Sequence, residues 1–472
     1  MTEMENLYAY DEEFRDSIAT VDEQGKRVWV YPKKPSGKYY KLRTLVAILL
    51  LGLLFSGPFI NIGGQPLLLF NIFERKFVIL GVAFWPQDFY LFGLAMITFF
   101  VFVILFTVVF GRIWCGWACP QTIFMEMVFR RIEYWLEGDA NQQRKFDKAP
   151  LTPRKIALKA IKHLIFILIS VIIAHTLMAY LIGVDEVVDI VTASPFEHWS
   201  GFIATIFFTV LFYWVFAYFR EQACIAVCPY GRLQGVLLNK DSMAVSYDFS
   251  RGEPRGKLVK NEPTKEQGDC IDCQLCVHAC PTGIDIRNGT QLECVNCTAC
   301  MDVCDEVMTK IKKPTGLIRI SSFNAISNGI QSIFTTRVIA YTLVLSALVV
   351  FLTSLMLNRS DIDATVLRVP GQLYQKTDDG QIQNLFNVLF INKTFNDQQV
   401  ELRLEEYPNA EIKIVGQENK EIQLKANSTK ELVFFIHLPR DVLDGPKTKV
   451  IFDVIHKGEI VTKTTSNFLG PF

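Results

Sequence analysis

Five stretches of about 20 apolar residues constrain this 472-residue chain most, because a helix of that length crosses the ~30 Å hydrocarbon core of a bilayer. They lie at 44–62, 89–110, 156–182, 202–219 and 338–357. The first follows forty polar residues and has no small-residue cleavage site close behind it, so it reads as a span and not a signal peptide. The Gly57-Pro58 step should kink or end it. Formal net charge is +0, from 48 basic and 48 acidic residues, which excludes a generally basic nucleic-acid binder and a disordered acidic tail protein.

The charges are segregated along the chain. Lys33, Lys34, Lys38, Lys41 and Arg43 precede the first span, and only Arg75 and Lys76 follow it in 63–88. Loop 111–155 is rich in Lys and Arg, loop 183–201 has neither, and loop 220–337 is rich again. Because basic residues gather on the cytoplasmic side, the expected topology puts segment 1–43 and loops 111–155 and 220–337 in the cytoplasm. The part after 358 then lies outside, in the periplasm of a cell with a bacterial inner membrane. Within 63–88, FNIF and FVILG flank Glu74-Arg75-Lys76 and read as an outside hairpin on the bilayer surface, with a re-entrant piece as the alternative.

Residues 1–20 read as a solvated leader, followed by a turn at Glu23-Gln24-Gly25 before Val28-Trp29-Val30. Lys33 to Tyr40 reads as a basic, aromatic approach suited to anionic headgroups. At the other end, runs within 384–470 such as LFNVLFINKT, ELVFFIHLP and TKVIFDVIH alternate or are β-branched. Turn signals, Tyr407-Pro408-Asn409 and Asp444-Gly445-Pro446 among them, separate them, so 360–472 is expected to form an immunoglobulin-like β-sandwich. No Cys lies there, so burial between two sheets must hold it, and His437 and His456 read as structural.

The 12 Cys fall into four clusters, all in the loops placed inside, where a reducing cytosol disfavours disulfides. Cys270-x2-Cys273-x2-Cys276-x3-Cys280-Pro281 and Cys294-x2-Cys297-x2-Cys300-x3-Cys304 have the spacing of a two-cluster bacterial ferredoxin, in which the fourth Cys of each run reaches the other cluster. The spacing assigns Cys270, Cys273, Cys276 and Cys304 to one [4Fe–4S] cluster, and Cys294, Cys297, Cys300 and Cys280 to a second. A pair of zinc sites is the competing reading.

The other clusters are Cys115-x3-Cys119-Pro120 and Cys224-x3-Cys228-Pro229. Each follows a span and precedes an amphipathic helical stretch, Gln121 to Leu136 or Tyr230 to Leu238, so that span, Cys-x3-Cys-Pro and surface helix form an internal repeat. Proline suits the first turn of a helix, which puts Cys119 and Cys228 at helix starts where the dipole favours a thiolate, with Arg112 and Arg220 acting in the same sense. Soft thiolates select Cu(I) or iron–sulfur iron. A copper site, a third cluster, thiol–disulfide exchange and buried free thiols all remain open at this point.

With WCGWACPQT, CIAVCPYGR, the double ferredoxin run and this order of elements, the chain resembles the cytochrome c oxidase accessory protein family (CcoG, also FixG or RdxA). The resemblance covers essentially the whole chain; membrane ferredoxins of the nitrate- and nitrous-oxide-reductase type share only part of it. It implies a role in assembling the cbb3-type cytochrome oxidase, as a copper reductase turning Cu(II) into Cu(I). Carried over, the eight Cys from 270 to 304 are cluster ligands, and Cys115, Cys119, Cys224 and Cys228 contact or reduce copper.

Further features attract lesser readings. His175 and Met178 share a face of the third span and read as packing residues, a copper relay or quinone contact being the alternative. His163 is expected to snorkel, and His278 to tune cluster hydration. Arg251 to Gln267 reads as a linker placing the ferredoxin domain against the membrane, and Lys310-Ile-Lys-Lys313 as a basic patch for an acidic donor. No Walker motif, dinucleotide fingerprint or haem attachment site is present, so electrons must come from outside.

The expected molecule is thus a five-span polyferredoxin with a cytoplasmic two-cluster domain (261–320, after a 220–260 motif and linker) and an outside immunoglobulin-like domain. It takes electrons from a soluble donor and hands Cu(I) to a copper-transporting ATPase and the oxidase assembly factors. A quinol-linked membrane ferredoxin and a non-enzymatic oxidase assembly scaffold are the alternatives.

Overall fold

Among the described residues of the computed structural model, five helices are long and apolar enough to cross a membrane: Lys38–Phe59, Phe89–Phe110, Pro153–Ile182, Trp199–Phe219 and Thr336–Leu357. The structure describes residues 20–471 except 23, 25, 63–64, 74–75, 80, 258–266, 331, 372, 378–379, 408–409, 417–420 and 444. The expected leader and parts of three expected turns and of the linker lie outside the described residues. The helices are labelled α1 (Lys38–Ser56), α2 (Phe89–Phe110), α3 (Pro153–Ile182), α4 (Trp199–Trp214) and α5 (Thr336–Leu357). Helix α1 starts six residues before the apolar run and yields to a 3-10 turn at Gly57–Phe59, where proline removes a donor. Helix α3 also starts early, because Pro153 opens its first turn and the Thr152 hydroxyl accepts from the Lys155 N–H at 3.2 Å.

The chain divides into two compact units, residues 1–60 with 93–350, and residues 61–92 with 351–472. In the first, the stretch expected as a surface helix is instead buried. It runs through Pro120–Thr122, a π-helical Ile123–Phe129 and Arg130–Leu136. Phe129 packs on Phe166 of α3 and on Phe216, with ring centroids 4.7 and 5.0 Å apart. Its polar face finds partners within the protein. Glu126 pairs with Arg130, Glu133 with Arg220, and Glu137 with Lys162 at 2.6 Å. Sequence periodicity marks a polar face but cannot say whether water or a neighbouring helix covers it.

The approach to α1 is a strap across this unit and not a free basic segment. Arg27 stacks 4.1 Å over Trp29 and bonds Glu221 at 2.7 Å. Tyr134 donates to the Pro32 carbonyl at 3.1 Å, and the Lys33 N–H donates to the His278 carbonyl at 2.8 Å. At the start of α1 the N–H groups of Tyr39 and Tyr40 donate to the Asp302 carboxylate at 3.1 and 2.8 Å. Gly37, at φ 143, lies so close to Asp302 that a Cβ there would meet its carboxyl at 2.3 Å.

Strands Ala244–Tyr247 and Ile318–Ser321 pair antiparallel and bracket all eight ferredoxin cysteines, so this fold begins well before 261. The segment from Arg251 is not a spacer at either described end. Arg251 bonds Asp269 at 2.7 Å, and the Gly268 N–H donates to the Pro254 carbonyl at 3.0 Å, closing a loop on the domain's own surface. Of the basic patch, Lys310 pairs with Glu306 at 2.5 Å and Lys313 with Asp269 at 3.2 Å.

In the second unit, Leu68–Asn71, Lys76–Ile79 and Val82–Phe84 form a three-stranded meander, one strand more than the expected hairpin. The C-terminal strands are β1 (Ile362–Arg368), β2 (Gln375–Lys376), β3 (Ile382–Asn392), β4 (Gln398–Leu404), β5 (Glu411–Ile414), β6 (Glu421–Leu424), β7 (Thr429–Leu438), β8 (Lys447–His456) and β9 (Glu459–Leu469). One sheet has the order β5-β7-β3-β1, with β2 on β3; the other is β6-β4-β8-β9. Strict alternation along β3 turns Ile382, Phe386, Val388 and Phe390 inward to meet Phe434, Phe452 and Phe468. His437 and His456 stay on strands at the surface side, His456 bonding the Gln399 carbonyl at 2.7 Å. Asp88, below the meander, takes Arg359 at 2.6 Å and Lys393 at 2.7 Å, which joins meander and sandwich.

Candidate redox site

Both Cys-x2-Cys-x2-Cys runs share one backbone device. Asp272 and Gln274 in the first, and Asn296 and Thr298 in the second, have φ of 51, 56, 52 and 63°. Left-handed φ is unfavourable for non-glycine residues and persists only where surroundings impose it. Its repetition at corresponding positions curls each run around a hollow.

Two small hollows result. One is walled by Cys270, Cys273, Cys276 and Cys304 with Tyr247, Leu317 and Ile318. The other is walled by Cys280, Cys294, Cys297 and Cys300, with Cys276 at the boundary between the two. Each run thus sends its fourth cysteine to the other run's cavity. Four soft donors around an apolar hollow fit a [4Fe–4S] cluster in each. Among the described residues no three Cys, His, Asp or Glu side chains close on one point as ligands of a single ion do. All twelve cysteines are free. Burial pushes the Cys276, Cys294 and Cys304 thiols up to about 12 and Cys297 to about 11, so these ligands release protons when metal binds.

The two Cys-x3-Cys-Pro pairs come together in space. The Cys224 thiol is pushed up to about 12 by burial, and then by Cys119, Cys115 and Cys228 around it. Cys115 and Cys224 pack against the cluster of Val295, Cys297 and Ala299, of which Val295 and Cys297 line the second cavity. Gly116 makes this approach possible, since a Cβ there would lie 2.5 Å from the Val295 carbonyl oxygen. The Gln234 amide donates to the Cys115 sulfur at 3.5 Å. Cys119 and Cys228 do cap helices that open with proline. At Cys119 burial works against the expected thiolate. Burial raises Cys119 against the opposing N–H groups of Thr122 and Gln121. Arg220 is neutralised by Glu133, whereas Arg112, among the described residues, donates only to the Leu292 carbonyl.

The remaining candidates stand apart from this cluster. His175 bonds its own helix at the Val171 carbonyl, 2.8 Å away, and Met178 is buried beneath the Thr205 hydroxyl at 3.1 Å. His163 bonds the Tyr213 hydroxyl at 3.0 Å. His278 is exposed and outside both cavities. Sequence reasoning missed Arg43, which is 3% exposed and donates its Nε to the Gly116 carbonyl at 2.7 Å. In sequence it is one more basic residue before a span, and nothing there distinguishes it.

Three family models match the chain. Residues 219–323 match a "4Fe-4S dicluster domain", 92–139 a "4Fe-4S binding domain", and 351–471 the "IG-like fold at C-terminal of FixG". The first covers Cys224 and Cys228 together with all eight ferredoxin cysteines, and the second covers Cys115 and Cys119. The chain is 32% identical over 421 residues to Protein RdxB of Cereibacter sphaeroides, covering 86% of this chain and 87% of that one. It is 30% identical to Protein RdxA of the same organism, covering 91% and 92%, and 29% identical to the nitrogen fixation protein FixG of Rhizobium meliloti, covering 88% and 87%. With a C-terminal FixG fold behind 4Fe-4S domains and membrane-length helices, and with such relatives along most of its length, this chain is a membrane iron–sulfur electron-transfer protein and belongs to the FixG/RdxA family.

Proposed function

We propose that the protein passes electrons through two [4Fe–4S] clusters to copper, reducing Cu(II) to Cu(I) at Cys115, Cys119, Cys224 and Cys228. The observation that carries this reading is the packing of Cys115 and Cys224 against the buried cluster of Val295, Cys297 and Ala299, which brings the end of the cluster path against four soft thiols. Cys270, Cys273, Cys276 and Cys304 hold one cluster, and Cys280, Cys294, Cys297 and Cys300 the other. When bound, the clusters supply one-electron transfer.

The chain's own residues supply the rest. The left-handed runs hold the sulfurs apart, and the apolar walls exclude water. The buried Cys119 and Cys224 thiols give up protons as copper enters, and a soft, deprotonated set favours Cu(I) over Cu(II). One electron from the cluster path converts each Cu(II) to Cu(I). The alternation of basic loops supports a cytoplasmic relay beneath an inner membrane, with the immunoglobulin-like domain in the periplasm. The family resemblance supports delivery toward cbb3-type oxidase assembly through a copper-transporting ATPase, with a soluble cytoplasmic donor.

The match of 92–139 to a 4Fe-4S binding domain favours a second reading, a third cluster on the same four thiols. Iron content separates the two, at about eight or about twelve atoms per chain. The first reading is tested by reducing anaerobic protein with dithionite, removing the excess, and adding Cu(II) with a Cu(I)-specific chelator. Chelated Cu(I) should appear in step with cluster oxidation. Cluster oxidation without chelated Cu(I) rules copper out.

A further inference from the structure

Two buried guanidiniums adjoin the Cys-x3-Cys-Pro loops, Arg43 at Gly116 and Arg112 beside Gly231. Arg43 is 3% exposed; its Nε serves the Gly116 carbonyl, and one terminal nitrogen is buried without a hydrogen-bond partner. Arg112 is 4% exposed; it serves the Leu292 carbonyl, and its Nε is buried and unpartnered. Among the described residues neither has a carboxylate within ion-pair distance. A buried charge without a counter-charge is strongly unfavourable. Such a pair of cations persists where something else brings negative charge.

The charges act where that negative charge belongs. Arg43 holds the carbonyl of Gly116, which lies against the Val295 and Asn296 backbone of the second run, and Arg112 donates to the Leu292 carbonyl two residues before Cys294. The Glu126 carboxylate is already paired with Arg130. The first cavity is built the other way. Its cation, Arg287 beside Cys276, is neutralised by Asp272 at 2.5 Å and Asp285 at 2.6 Å. Asp305, directly after Cys304 in the chain, adds a further carboxylate on this side.

We propose that Arg43 and Arg112 compensate the charge of the cluster held by Cys280, Cys294, Cys297 and Cys300, placing its potential above that of the cluster held by Cys270, Cys273, Cys276 and Cys304. This rests on the two-cluster reading above. Reduction adds one negative charge to a centre that its four thiolates already leave negative, so nearby uncompensated cations favour the reduced form. Burial of the second centre acts oppositely. Two full charges in a weakly screening interior outweigh it, whereas Cys273 of the first centre is exposed and screened by water. One electron leaving the first centre and entering the second therefore runs downhill toward Cys115 and Cys224.

The test is a mediated potentiometric titration of the full-length detergent-solubilised protein, with dithionite as reductant and paramagnetic resonance as readout. Wild type should show two separate potentials. Arg43→Gln should lower the higher one by at least tenfold in the one-electron equilibrium constant, about 59 mV, and leave the lower one in place. Arg43→Lys should restore most of the shift. Arg112→Gln provides a second variant if the first loses its cluster. Full iron content with coincident wild-type potentials, or a shift in the lower potential alone, overturns the proposal. Iron below about eight atoms per chain in wild type would overturn the two-cluster reading itself.

Discussion

The Arg43 Nε donates to the Gly116 carbonyl at 2.7 Å, so the first membrane helix holds the first Cys-x3-Cys-Pro loop by its backbone. The other face of that loop meets the ferredoxin run at Val295 and Asn296. Three segments remote in sequence are thereby clamped around one residue that has no side chain.

Gly116→Ala tests the clamp. The new methyl would sit 2.5 Å from the Val295 oxygen and 2.8 Å from that of Asn296, both of them backbone that a rotamer change cannot move aside. Overpacking of this kind costs about 1–3 kcal/mol. The expected result is a lower Tm and loss of iron from the second centre before the first, followed by paramagnetic resonance during mild chelation.

Cys224→Ser should separate electron transfer from copper chemistry. The thiol lies outside both ferredoxin cavities, so two clusters should remain and still accept electrons from dithionite. Chelatable Cu(I) formed per cluster electron should fall at least tenfold. An unchanged yield of Cu(I) would place the copper chemistry elsewhere.

Copper affinity should depend on pH with a definite sign. The Cys224 thiol, raised to about 12 in the metal-free fold, is protonated at neutrality and must lose that proton to a metal. Cu(I) binding should tighten as pH rises from 6 to 8, by up to about tenfold per unit for each such thiol. The metal-free protein should behave oppositely. Its thiol is neutral in the fold while an unfolded thiol ionises near 8.5, so stability is constant below that value and falls as pH climbs toward 12. Isothermal titration and denaturant melts at several pH values measure the two trends.

Glu133→Gln should reveal how much of the first unit depends on charges inside it. Burial alone would raise this carboxyl, yet Arg220, Lys162 and Arg130 hold it below its ordinary value. Removing it leaves Arg220 buried and unpaired, a change of about 3–5 kcal/mol. In wild type the ionised form is favoured above the unfolded carboxylate pKa, and its stabilisation is lost as pH falls through the lower folded value. The variant should lose stability at neutral pH and show a flatter acid limb in thermal melts.

Much of this architecture is legible in the chain because its signals are local. Apolar length locates the spans, and alternation in residues such as Ile382, Phe386 and Phe390 locates the sandwich. Strand β1, Ile362–Arg368, escapes because its seven residues follow a span without a turn signal of their own. The spacing of the ferredoxin cysteines is likewise local. What stays hidden is pairing at long range. Whether the helix after Cys119 is wet or dry depends on Phe166, Phe216 and Arg220, all contributed from elsewhere. The same holds for Cys119, where a local dipole argument favours the thiolate and burial by distant segments reverses it.

The carboxylate that receives the opening N–H groups of α1 belongs to Asp302, 263 residues beyond Tyr39. During synthesis the first span emerges long before its cap exists, and the cap rides on the helix Ala299–Lys310 between Cys300 and Cys304. Seating of the oldest membrane segment therefore waits on the metal-binding module made much later, which ties completion of the membrane bundle to the folding of its redox core.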